Sequence, residues 1–136
     1  LYVLELTSDG MALKGGVKTQ KEEKVLVAGR EGGWDSATYE ASYVLKKDDY
    51  YYYFGSAGSC CDGQKSTYRV LVGKSKSIKG PWIQEDQPIY SDDGGHAMVF
   101  EKDGQKIITF HAPNTFDGNE RLVLYPYHSK MENSQN

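Results

Sequence analysis

The chain has 136 residues, a length that suits one ordinary domain. With 26% charged residues and no apolar run near the roughly 18 residues a spanning helix needs, it is not built to cross a bilayer as a helix. Its 16 Lys and Arg against 19 Asp and Glu leave a net charge of −3, which lacks the basic footprint of a nucleic-acid binder. The 11 Tyr, 2 Trp and 4 Phe suit a β-protein that presents ring faces to a ligand.

In chain order, short apolar runs rich in Tyr, Val and Phe are bounded by Gly, Asp and Ser clusters. These predict strands near Tyr2–Thr7, Lys24–Ala28, Ala41–Lys46, Tyr50–Ser56, Thr67–Lys74, Ala97–Lys102, Lys106–His111 and Arg121–Tyr127. No window sustains an i, i+3, i+4, i+7 pattern with caps, so helix content is expected to be close to nil. Lys47-Asp48-Asp49 and Lys102-Asp103-Gly104-Gln105 read as hairpin turns, the second an Asp-Gly turn that supplies positive φ cheaply. The chain opens on Leu1-Tyr2-Val3-Leu4, in the middle of an apolar alternation and without a secretory pattern, as if sequence preceded it. The tail 129–136 is polar and reads as a disordered end after a domain spanning 1–128.

The two hairpins resemble each other. A shift of 55 positions lays Val44 on Val99, Lys47 on Lys102, Asp48 on Asp103 and Ala57 on Ala112. The strands that follow, Arg69-Val70-Leu71-Val72 and Arg121-Leu122-Val123-Leu124, repeat at a shift of 52. A strand unit repeated every 50 or so residues marks a β-propeller, although 136 residues make only about two and a half blades and closure takes at least about four. A β-sandwich with two similar hairpins is the other all-β arrangement that fits.

The ordered set Thr38-Tyr39-Glu40-Ala41-Ser42-Tyr43-Val44, Tyr50-Tyr51-Tyr52-Tyr53-Phe54-Gly55-Ser56, Gly58-Ser59-Cys60-Cys61-Asp62-Gly63, Ser66-Thr67-Tyr68 through Gly80-Pro81-Trp82, and Gly94-Gly95-His96 through Asn114 resembles glycoside hydrolase family 43. The Cys-Cys loop is similar to the arabinan-degrading branch. The resemblance implies part of a five-bladed β-propeller that hydrolyses arabinan, xylan or arabinoxylan by an inverting acid/base mechanism.

Within that resemblance Glu40 matches the family's general acid, which heads the innermost strand of one blade in a Glu-Ala-Pro motif; here Ser42 stands in the place of Pro. Read from the residues alone, Glu40 is either a surface Glu before a strand or a carboxyl in a partly desolvated site beside Tyr39, Ala41 and the upstream Trp34. Desolvation favours the protonated acid that a donor to a glycosidic oxygen must be. The Ser56–Cys61 loop borders the substrate groove in the family, so Trp34, Tyr39, Ser59 and Cys60 are the expected substrate contacts. Cys60 and Cys61 form either a vicinal disulfide or two buried thiols, the latter being the commoner case for small buried residues. With no His or acid at an activating spacing, neither is a nucleophile.

His96 matches a Gly-His element whose imidazole faces the propeller channel near a cation; a backbone hydrogen bond is the plainer use of such a His. With no third His or Cys at ligand spacing, Ca2+ is expected rather than zinc. Asp92-Asp93-Gly94-Gly95 reads as a loop, and Lys74, Lys76 and Lys79 as a solvated strand face.

The catalytic base and an orienting Asp are implied on earlier blades, so the expected partners are an oligo- or polysaccharide and a complementary polypeptide carrying those blades. Secretion or a periplasmic location is favoured. A non-catalytic carbohydrate-binding β-domain is the competing function.

Overall fold

The computed structural model describes residues 1–27, 39–113 and 121–127. The elements run β1 (Tyr2–Val3), α1 (Gly16–Glu23), β2 (Val25–Leu26), β3 (Tyr39–Lys47), β4 (Tyr50–Ala57), a 3-10 turn (Gly63–Lys65), β5 (Arg69–Ser75), β6 (Ile83–Gln84), β7 (Gly95–Lys102), β8 (Gln105–Ala112) and β9 (Arg121–Pro126). They form three antiparallel sheets in sequential order: β1-β2, β3-β4-β5-β6 and β7-β8-β9.

The repeat found in the sequence is the repeat of the structure. Glu40 pairs with Ser56 as Gly95 pairs with His111, and Tyr43 pairs with Phe54 as Met98 pairs with Thr109. Both first strands bulge at the same place, between Glu40 and Tyr43 and between Gly95 and Met98. Ala41 and His96 share a left-handed backbone at φ 56° and 55°, and Asp48 and Asp103 both turn at φ 52°. The shift of 52 holds in the third strands, where Ala57 pairs with Arg69 and Ala112 with Arg121. The two sheets are therefore two copies of one blade, which removes the sandwich arrangement.

Packing explains why the middle strands lack clean alternation. One face of the β3–β6 sheet meets the β7–β9 sheet through Phe54, Val70, Val72, Val99, Ile108 and Phe110. The opposite face packs Tyr53, Ala57 and Leu71 against Val27, with Leu1, Val3 and Trp82 at the margin. A sheet covered on both sides reads as a continuous apolar run, as Tyr52-Tyr53-Phe54 does. The far face of β7–β9 is different, for it leaves Met98, Phe100, Leu122 and Leu124 exposed.

Three expectations fail locally. Helix α1 exists where none was expected. It carries one apolar side chain, the exposed Val17, so no periodic stripe announces it. A buried polar residue anchors it instead: Gln20 accepts from the Glu5 N–H at 2.6 Å and donates to the Lys14 carbonyl at 2.9 Å. The first strand stops at Val3, because the chain turns back on itself through Thr7 N–H to Ala12 carbonyl and Lys14 N–H to Glu5 carbonyl bonds. Strand β6 was missed, being two residues that pair at the edge of β5.

Two substitutions test this packing. Phe54 is fully buried between the blades, so Phe54→Ala should lower unfolding free energy by about 3–5 kcal/mol in denaturant titration. At Gly95 an added Cβ would lie 1.9 Å from Tyr68 Cε1, so Gly95→Ala should cost about 1–3 kcal/mol and push the Tyr68 ring from its place. An unchanged midpoint in either variant would contradict the packing described.

Candidate active site

Glu40 and His96 lie near the starts of β3 and β7, the equivalent first strands of the two blades. Each is at its strand's bulge, where the extra residue re-aims side chains at the strand end. Between them stands Tyr68, one residue before β5 and 1% exposed. Its hydroxyl donates to Glu40 Oε1 at 2.7 Å and contacts His96 Nδ1 at 2.8 Å. Ser56, wholly buried on β4, hydrogen-bonds the same phenol through its side chain and accepts from the His96 N–H at 2.9 Å. The His111 ring lies 5.2 Å from that of His96 and 6.2 Å from that of Tyr68.

One proton fixes the pattern. A phenol has one hydrogen to give and two lone pairs to offer. With that hydrogen on Glu40, the His96 contact runs from the imidazole Nδ1–H to the phenol oxygen. Burial, and next the bond to Glu40, push the Tyr68 phenol well above its ordinary value, with Ser56 opposing; it stays a neutral donor. The space for its ring is made by Gly95, and the Gly94 N–H donates to the Tyr68 carbonyl at 3.1 Å.

The remaining predicted residues fall in different places. Glu40 itself is exposed in the chain rather than enclosed by apolar neighbours, so what acts on its carboxylate is the Tyr68 donor, and the expectation of local desolvation by Tyr39 and Ala41 is corrected. Alternation sends Tyr39 to the other side of β3, where it packs beside Tyr53 and Val27 and burial pushes its phenol up. Trp34 lies outside the described residues.

Ser59 is exposed at the mouth of a closed loop. Its N–H donates to Thr67 Oγ1 at 3.0 Å, and its carbonyl accepts from the Thr67 N–H at 2.9 Å and from the Ser66 hydroxyl at 2.8 Å. The same hydroxyl also lies against the Asp93 carboxylate, an alternative acceptor for its single hydrogen, which sets this loop beside the one that leads into β7. At the loop's tip Cys60 and Cys61 are joined in a vicinal disulfide. Cys60 is half-buried and Cys61 exposed, so the buried-thiol alternative is set aside.

Tyr68, Ser56 and Gly95 were not singled out from the sequence. The available signals were the tyrosine ending Ser66-Thr67-Tyr68, and a glycine pair placed directly before a histidine, where a bulky side chain must cross.

The calcium expected at His96 can be tested against these groups. His96 offers one ring nitrogen, and Ca2+ takes 6–8 oxygen ligands. Among the described residues no three His, Cys, Asp or Glu side chains gather to hold an ion, so these residues by themselves supply no cage.

Comparison with known proteins agrees with this geometry. Residues 1–129 match the family described as glycosyl hydrolases family 43. A curated relative, the extracellular exo-α-(1→5)-L-arabinofuranosidase of Cellvibrio japonicus (strain Ueda107), is 34% identical over 106 residues, covering 78% of this chain and 30% of that protein. Among solved structures, an exo-1,5-α-L-arabinanase from a bovine ruminal metagenomic library superposes with a TM-score of 0.74 at 27% identity, over 96% of this chain and 46% of that one. The endo-arabinase of Bacteroides thetaiotaomicron VPI-5482 gives 0.72 at 26% identity, over 95% and 46%. The chain thus spans less than half the length of these relatives, and its blades are part of a five-bladed propeller. It belongs to glycosyl hydrolase family 43.

Proposed function

We propose that this chain carries the acid side of an inverting glycosidase that cleaves α-L-arabinofuranosyl linkages of arabinan, with β-D-xylosyl linkages as the second substrate class. The observation that carries the reading is the Glu40 carboxylate at a blade's inner strand, held by a buried phenol that also holds His96 of the next blade. Relatives named as an arabinofuranosidase and an arabinanase support the arabinan preference.

In the reaction Glu40 gives its proton to the glycosidic oxygen as the bond to the anomeric carbon breaks and its electron pair passes to that oxygen. A water attacks the opposite face and gives its proton to a second carboxylate. An inverting pair stands about 6.5–9.5 Å apart to leave room for that water. We assign the second carboxylate, and an Asp that orients it, to earlier blades on a complementary polypeptide or further sequence. The exposed apolar face of β7–β9, with Met98, Phe100, Leu122 and Leu124, is where an adjoining blade would pack. Trp34, Ser59 and Cys60 remain our assignment for substrate contacts, while Tyr39, packed on the opposite side of β3 from Glu40, is dropped from that set. A calcium reached through His96 would draw its oxygen ligands from outside these residues.

The Cellvibrio japonicus relative is named extracellular, and a vicinal disulfide suits an oxidising compartment, so we assign secretion or the periplasm. Among the described residues no helix is long and apolar enough to cross a membrane.

The test is to assay the chain alone, and the chain assembled with the earlier blades, on arabino-oligosaccharides. Turnover should require the assembly and should fall about 10²–10⁴-fold in Glu40→Gln, the usual worth of a general acid. Turnover by the chain alone, or an assembled Glu40→Gln enzyme at full rate, would overturn the reading. Sugar binding without turnover in the assembly would identify a carbohydrate-binding domain instead.

A further inference from the structure

We infer that Tyr68 is a positioning residue for the proton transfer, deciding which oxygen of Glu40 carries the proton to be donated. The inference rests on the reading of Glu40 as general acid. A carboxylic acid holds its proton on one oxygen, and an oxygen that accepts a strong hydrogen bond is not the protonated one. Tyr68 donates to Oε1 at 2.7 Å, so the acidic proton sits on Oε2. Glu40 is exposed, and no other side chain among the described residues bonds its Oε2, so that oxygen is the one open to substrate.

The phenol is itself fixed. It is 1% exposed, it engages Ser56 and His96 as well as Glu40, and its ring occupies the space that the missing Cβ of Gly95 leaves. A buried ring needed only for packing has no use for a hydroxyl, because an unpaired buried hydroxyl is destabilising. Here the hydroxyl is placed where three polar groups from β3, β4 and β7 converge. A glutamate has three side-chain torsions and, when exposed, many rotamers. One rigid donor at its tip selects the rotamer and the protonated oxygen together.

Tyr68→Phe keeps the ring and removes only the donor. In the assembled enzyme it should lower kcat on arabino-oligosaccharides about tenfold or more with KM nearly unchanged, because the bond orients the proton rather than the sugar. The decisive readout is the ratio of rates on two substrates: an oligosaccharide, whose leaving oxygen needs a proton, and an aryl arabinofuranoside with an activated leaving group, which does not. Tyr68→Phe should impair the first much more than the second. Partial unfolding lowers both rates equally and leaves the ratio untouched, so the ratio separates positioning from loss of fold. Equal losses on both substrates, or a wild-type ratio, would overturn the inference. Glu40→Gln is assayed in parallel: if it keeps full activity the general-acid reading fails, whereas an inactive Glu40→Gln beside a wild-type Tyr68→Phe ratio fails the positioning role alone.

Discussion

The contact on which the site depends is the Tyr68 hydroxyl, shared between Glu40 of one blade and His96 of the next. Glu40 and Tyr68 belong to one blade and His96 to the other, so the shared arrangement is complete only when the two sheets are seated face to face. A buried phenol that loses these partners is left unsatisfied, at a cost of about 1–3 kcal/mol. The site and the inter-blade core are thereby made one structure. Tyr43 adds a second crossing, with its hydroxyl on the Val99 carbonyl at 2.6 Å.

The seating follows from the repeated register. Because β3 and β7 bulge at the same position and turn at equivalent Asp residues, both bring their first residues to the same end of the stacked sheets. Phe54, Val99 and Phe110 fix the spacing between them. Position 41 is Ala and position 96 is His at one left-handed point of the repeat, while Glu40 corresponds to Gly95. The acid and the imidazole are therefore not symmetry mates. One blade supplies the carboxylate where the other has a glycine, and that glycine admits the ring that joins them.

Much of this was legible in the sequence. The 55-residue shift named the blade because hairpin length and turn chemistry are local properties, written in Lys47-Asp48 and Lys102-Asp103. Glu40 and His96 stood out through their flanking motifs. Tyr68 did not, since a Tyr before a strand is ordinary in a chain with 11 of them, and its importance lies in contacts 28 residues away in each direction. Helix α1 was hidden for a related reason: Gln20 anchors it through two polar bonds, which leave no hydrophobic period. The adjacent cysteines were ambiguous because spacing alone does not decide between thiols and a disulfide at the tip of a loop.

The most direct test is a double-mutant cycle in kcat/KM between Glu40→Gln and Tyr68→Phe, made in the assembled enzyme. If the phenol acts through Glu40, removing its hydroxyl should matter in the wild-type background and change the rate less than about twofold once Glu40 is Gln, a strong coupling of neighbouring groups. Equal losses in both backgrounds would show that Tyr68 contributes independently of Glu40 and would contradict the account.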